Sequence, residues 1–573
     1  RRFVGLLKEV IAKKKAFPRN PNIREHVNKR LQKTKLSRKE MQQLSLAVIT
    51  ELDARGQRMY SVSSSEHYFF DGQNAKLMKA PINTLTREQL QETVFGKMLY
   101  NEFGISPSAD ARVMQWLGSQ FAAEDPIDNV NPHRVFARQD PMDDCVNMQI
   151  NDSQFIRINK EGIEVFDNGA DGILFESGCV SPLEASDILM SFQVMTDTYG
   201  YDLPVENRWA QVLREVRLKD HGNAAAICSL LYHISPFLFR WRGAQLPVEL
   251  VIGESGSGKS TLCELRLDIL TGDATLRNAP QDLKDWHASV ANTGGLHVTD
   301  NVQLIDRNLQ QRLSDEICRL ITEPQPHIEM RKYYTNADLM RIGVNAVFSF
   351  TAIKQPFVNA DLLQRAIILE FDKAPTAAAT VDGQVTYDSR WRFRQVERFG
   401  GRAGWIAYHM FVLWRFFYAA DKYWNQTYKA THRLINLEQA LMILGKHVFG
   451  TGEKETKYDW VPKHLVLETN SSITDADWAF EGLCAFAREM LELVDAKVHA
   501  KDKRFSANDI ASWAASQEDY LECIQITNAR KLGRYLQTHK HMVASIAGIV
   551  ESGTYANRTM YEVRKVSGKS TST

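Results

Sequence analysis

The chain has 573 residues, 44% hydrophobic and 24% charged, which is enough apolar side chain for several globular domains and excludes a disordered polymer. The net charge of +1 excludes a uniformly polybasic or polyacidic protein, yet residues 1–40 alone carry 14 Lys/Arg against 3 Asp/Glu. Seven scattered cysteines with no CxxC pair exclude a disulfide scaffold and a zinc finger and suit a reducing cytoplasm.

In chain order, residues 1–55 read as a basic helical arm, either simply solvated or binding phosphates or a partner. The first residue is Arg rather than Met, so the expectation is a segment of a longer polypeptide or a processed chain. Residues 56–185 change to short alternating runs punctuated by "DGQN", "NKEG" and "DNGADG" around a helix-like 108–124, the texture of an α+β module with a small antiparallel sheet. Residues 186–245 return to helical spacing as a collar or linker. Residues 246–375 alternate apolar strands with amphipathic helices, the pattern of a parallel α/β core. Residues 376–499 are helical and aromatic-rich. The run "AGWIAYHMFVLWRFFYAA" (403–420) holds His409 and Arg415 mid-segment, which favours a buried helix over a membrane span. Residues 500–573 place two helical stretches before the alternating "TMYEVRKV", the order of a winged helix.

The strongest motif is "GESGSGKST" at 253–261, between the strand-like "LPVELVI" and a helix-like run. Gly253, Glu254, Ser255, Gly256, Ser257, Gly258, Lys259, Ser260 and Thr261 form a phosphate-cradling loop, because glycines let backbone N–H groups turn inward and the helix N-terminus adds its dipole. Lys259 then reaches the β- and γ-phosphates of ATP, and Ser260 ligates Mg²⁺. A second "GKST" at 568–571 has Val563 where the first glycine belongs and lacks the strand-to-helix context. Asp300 closes the strand-like "GGLHVT" 41 residues after Lys259 and is the second metal-side candidate. Its follower is Asn301, where many such motors carry a glutamate. His297 on the same strand reads as a packed histidine. Thr351, ending "VNAVFSFT", is either a γ-phosphate sensor or a satisfied strand-end threonine, and Arg365 either an arginine finger or a structural arginine.

Two basic surfaces follow. Residues 327–344 suit a hairpin carrying Arg331, Lys332 and Arg341 beside Tyr333 and Tyr334, which fits a nucleic-acid backbone or a subunit interface. Arg530, Lys531 and Arg534 lie on the second helix of the C-terminal region, with Arg558, Arg564 and Lys565 on its wing, for DNA or for protein docking.

"DNVQLIDRNLQQRLSDEICRLIT … MRKYYTNADLM … DLLQRAIILEF" resembles the ATPase domain of phage and mobile-element primase-helicases, related to the superfamily 3 helicases of the AAA+ class. Asp300-Asn301, Leu313-Ser314-Asp315, Cys318-Arg319, Arg331–Thr335 and Asp361–Arg365 carry the likeness, which spans roughly 50–573 and is strongest across 250–372. The resemblance implies a multidomain α/β protein with an AAA+ P-loop core, a ring oligomer such as a homo-hexamer, ATP and Mg²⁺, DNA as partner and a bacterial host cytoplasm. A primase is a possible further partner, and no membrane is involved. It also implies that the missing glutamate is no defect. Water activation falls to Asp315, Glu316 or Glu254, with Asp315 preferred because it matches the motif. Relatives carry Asn where Thr351 stands, and no priming motif is visible. The implied activity is a replicative helicase or translocase. A non-unwinding ATPase switch in a defence or transposition complex is the alternative.

Overall fold

The computed structural model describes residues 23–32, 36–61, 66–81, 86–123, 127–128, 130–138, 140, 142–216, 218, 224–238, 241–302, 307–331, 339–357, 359–372, 380–381, 384–385, 390–425, 434–450, 478–495, 504–517, 524–538, 540, 543–555 and 558–564. The chain divides into two compact units, Arg1–Pro356 with Arg365–Val466, and Phe357–Gln364 with Leu467–Thr573.

In the larger unit helix Ile23–Leu31 is followed by helix Arg38–Arg55, started by a capping box in which Ser37 and Glu40 satisfy each other's backbone N–H groups. Met41, Leu44, Val48 and Leu52 recur at helical spacing and are buried. Leu44, Val48 and Leu52 share a core with Phe69, Phe95, Leu117 and Phe121, so this stretch of the basic arm is packed; residues 1–22 lie outside the described residues. Strands β1 (Gly56–Ser61), β2 (Glu66–Asp71), β3 (Lys76–Lys79) and β4 (Ile127–Asp128) pair in the order β3-β2-β1-β4. A second sheet follows, β5 (Phe136–Ala137), β6 (Cys145–Gln149), β7 (Gln154–Asn159) and β8 (Gly162–Asp167), antiparallel and in sequence order. Its apolar residues Val146, Met148, Ile156 and Ile158 belong to the core that also includes the parallel sheet.

That parallel sheet contains β9 (Val248–Gly253), β10 (Arg277–Asn278), β11 (Gly295–Asp300), β14 (Ala346–Ala352) and β15 (Ala366–Phe371), in the order β10-β11-β14-β9-β15. Every seam is parallel. All seven residues of β14 are buried, as expected of a strand covered on both faces. Between β11 and β14 the hairpin β12 (His327–Arg331) and β13 (Leu339–Gly343) forms a separate antiparallel pair. A short pair, β16 (Thr380–Val381) and β17 (Gln384–Val385), follows β15.

Helix Gly401–Tyr423 is the apolar run seen in the sequence. Its Trp405 through Phe417 are all buried, and His409 sits between the Trp405 carbonyl at 2.9 Å and the Trp209 indole N–H at 3.1 Å. Arg415 donates to the carbonyls of Gly200 and Leu203 at 2.8 and 3.0 Å. No helix among the described residues is long and apolar enough to cross a membrane.

The smaller unit runs helix Trp478–Asp495, β18 (Arg504–Ser506), helix Ala507–Ala515, helix Ile524–Thr527, helix Ala529–Thr538, β19 (Ile549–Tyr555) and β20 (Arg558–Val563). The strands form an antiparallel sheet in the order β18-β20-β19. Phe486, Ile510, Ala514, Leu532, Leu536 and Tyr561 make its core.

Candidate functional site

The glycine loop 253–258 leaves the carboxyl end of β9 and runs into helix Lys259–Thr271. Gly256 and Gly258 take φ of +79° and +93°, a region closed to most side chains. Gly253 has no room for one, since a Cβ there would lie 2.8 Å from Ser257 Oγ and 2.9 Å from Phe371 O. Lys259 is buried and its ammonium donates to the Glu254 carbonyl at 3.2 Å, while Ser257 Oγ is buried with no hydrogen-bond partner among the described residues. A glycine loop ending in a helix N-terminus, with a folded-in lysine and an unspent hydroxyl, fits a phosphate chain.

One strand, β14, separates β9 from β11, whose last residue is Asp300. Ser260 Oγ donates to Asp300 Oδ1 at 2.8 Å. The Thr351 hydroxyl also donates to Asp300 Oδ1 and accepts the Asn301 N–H at 2.8 Å. A hydroxyl and a carboxylate in contact are hard oxygen donors of the kind Mg²⁺ takes beside phosphates. The structure therefore brings together Lys259-Ser260, Asp300-Asn301 and Thr351, three stretches that lie far apart in sequence. The pairing of Asp300 with Thr351 was foreshadowed only by both closing apolar runs; the register decides it, with Thr299 opposite Phe350 across the β11–β14 seam.

The three carboxylates considered for water activation differ. Burial pushes the Glu316 carboxyl up, but hydrogen bonds from Arg319 and His287 outweigh it and hold it at about 2. Asp315 is exposed on helix Arg307–Thr322 and accepts from Gln311 at 2.8 Å. Glu254 is exposed in the loop itself. His297 is the packed histidine expected: burial lowers it to about 3, and its ring stands edge-on to Trp286 and Phe348.

Arg365 is buried at 6% exposure, with Nη1 3.9 Å from Cys318 Sγ, so in the single chain the finger candidate points inward. Its neighbour in the motif, Arg319, was missed as a structural residue. It holds Glu316 at 2.6 Å and Glu323 at 2.8 Å and donates to the His327 carbonyl at 2.8 Å, so helix Arg307–Thr322 grips the base of the hairpin. Carboxylates three before and four after an arginine were the available signal. On the hairpin, Arg341 is exposed and paired with Glu329 at 3.0 Å. Arg331 ends β12, whereas Lys332, Tyr333 and Tyr334 lie outside the described residues. In the smaller unit the Asn528 side chain accepts the N–H groups of Arg530 and Lys531, both at 3.1 Å, starting helix Ala529–Thr538. Arg530, Lys531 and Arg534 are all exposed; Arg558 is exposed on β20, Arg564 pairs with Glu562 at 3.2 Å, and Lys565 is outside the described residues.

Residues 215–387 match the family of actinomycete integrative conjugative element replication proteins. That span contains the parallel sheet, the glycine loop, Asp300 and the hairpin, and it bears out the resemblance to replication proteins of mobile elements. No curated protein matches the chain. Among solved structures it is similar to the apo NrS-1 C-terminal region, at 9% identity and TM-score 0.37 over 92% of this chain and 100% of that one. It is also similar to the active helicase Cch of SCCmec type IV, at 11% and 0.39 over 88% and 92%. The JCV helicase follows at 14% and 0.21 over 49% and 72%. With TM-scores of 0.21 to 0.39, the architecture rests on the strands and helices described above.

Proposed function

We propose that this chain is an ATP-dependent DNA helicase or translocase serving the replication of a phage or mobile genetic element, built on an AAA+ P-loop core. One observation carries the reading: the glycine loop, Lys259, Ser260 and Asp300 converge at the carboxyl ends of a parallel sheet. The backbone N–H groups of the loop and the dipole of helix Lys259–Thr271 receive the phosphates of ATP, Lys259 turns from the Glu254 carbonyl to the β- and γ-oxygens, and Ser260 with Asp300 holds Mg²⁺. The metal, when bound, neutralises charge on the phosphates; the protein's share is positioning, since phosphoryl transfer needs little covalent help. Asp315 is the proposed carboxylate for the attacking water, because Glu316, held ionised by two partners, is a weak base.

In a ring, as a homo-hexamer, Arg365 serves the neighbouring subunit's nucleotide, a role that requires its guanidinium to leave Cys318. The hairpin around Arg331 and Lys332 then follows a DNA strand. The β18-β20-β19 sheet with its basic helix acts as a winged helix whose Arg530, Lys531 and Arg534 meet phosphates. A primase is a natural partner for such a motor. One observation favours a second reading, a non-unwinding switch in a defence or transposition complex: Arg341 is already paired with Glu329, which leaves the hairpin less charge for nucleic acid.

The test is ATP turnover of the full chain with and without single-stranded DNA at low and high salt, beside K259A. Stimulation that fades at high salt and vanishes in K259A is the expected result. Turnover indifferent to DNA, and unchanged by charge reversal at Arg331 and Lys332, selects the switch. No turnover overturns both readings.

A further inference from the structure

We propose that Thr351 is a positioning residue of the metal pair, holding Asp300 in place for magnesium rather than sensing the nucleotide's terminal phosphate. This rests on the nucleotide-binding reading above and concerns the same site.

A hydroxyl has one proton to give. Thr351 gives it to Asp300 Oδ1, the same oxygen that takes the Ser260 hydroxyl at 2.8 Å. It then accepts the Asn301 N–H at 2.8 Å, and the Thr351 carbonyl accepts the Val302 N–H at 2.7 Å. The end of β14 therefore grips the turn after Asp300 at its side chain and at two successive N–H groups. Asn301 in that turn adopts φ of +53°. Thr351 is fully buried, and its side chain is short, so the contacts that occupy it are those of the turn. The threonine that departs from the family's asparagine has a use here: a β-branched side chain with few rotamers suits a strand and presents its hydroxyl in one direction.

T351V keeps the shape and removes the hydroxyl; T351S keeps the hydroxyl and removes a methyl. Binding of a fluorescent ATP analogue to the full chain is measured by titration, first in EDTA and then across a range of Mg²⁺. Wild type and T351S should tighten on nucleotide with the same half-saturating Mg²⁺. T351V should bind as well as wild type in EDTA yet need about tenfold more Mg²⁺, the worth of a hydrogen bond to a charged group. If circular dichroism shows T351V unfolded, T351A is read by the same titration with the same expectation. A valine or alanine variant with the wild-type magnesium curve overturns the proposal. So does a serine variant as defective as valine, which would make the role one of packing, and so does a wild-type chain that never tightens with magnesium. A wild-type chain that tightens but hydrolyses nothing sinks the motor and leaves this role intact.

Discussion

At position 301 the backbone adopts a left-handed conformation, φ +53°, directly after Asp300, the proposed metal-side aspartate. Asparagine tolerates that region better than any residue except glycine, because its short side chain can bond locally; a glutamate there would be strained by about 1 kcal/mol. The Asp-Asn pair is therefore shaped by the turn, and its missing glutamate has a backbone reason. Installing that glutamate should not raise the proposed ATP turnover. N301E is expected to lower the thermal midpoint and leave turnover no higher, whereas N301G should keep both the midpoint and nucleotide affinity near wild type. A faster, equally stable N301E would contradict this account. Residue type was readable at this position, but not the conformation that explains it, because φ is set by the Val302 and Asn301 N–H bonds to Thr351 on another strand.

Among the elements, β9 and the helix Lys259–Thr271 must keep a fixed angle if the loop between them is to receive phosphates as proposed. A buried ion pair holds them: Arg266 on the helix contacts Glu249 on the strand, with side chains 2% and 0% exposed, and the guanidinium lies 3.7 Å from the Tyr232 ring centre. Removing one partner leaves a buried charge alone, so R266M should cost about 3 to 5 kcal/mol. Replacing both, as E249L with R266M, should recover most of that loss in a urea midpoint, because paired buried charges contribute little net stability. A double variant as unstable as R266M would show that the pair itself, rather than the orphaned charge, stabilises the core. The periodicity of 259–271 marks the helix but hides this contact: Arg266 and Glu249 read as ordinary surface charges until burial shows otherwise. The 401–423 helix was legible for the opposite reason, since an apolar, aromatic-rich run interrupted only by His409 and Arg415 between 403 and 420 favours burial.

For the whole molecule, the buried histidines set a pH response. His297 and His409 are each 1% exposed, and burial lowers both to about 3 against an ordinary 6.5. Between those values the unfolded chain takes up protons that the folded chain refuses. Their contribution is therefore complete above pH 6.5 and falls by about 1.4 kcal/mol per pH unit for each histidine as the pH drops toward 3. The thermal midpoint should decline steeply below pH 6.5, and H409Q should flatten that decline; an equally steep fall in H297Q/H409Q would place the titration elsewhere. By itself the sequence determined the parallel core, the glycine loop with Lys259 and Ser260, Asp300 as the acid at a strand end, and the buried helix at 401–423. These are local: glycine spacing, strand-to-helix transitions and hydrophobic period are written within a dozen neighbouring residues. Tertiary structure alone decided that helix Arg38–Arg55 packs rather than stands free, that Arg365 faces inward, that Arg319 grips the hairpin and that Thr351 is bound to Asp300. Each depends on which strands become neighbours and in what register, and that choice is made by burying apolar surface across hundreds of residues.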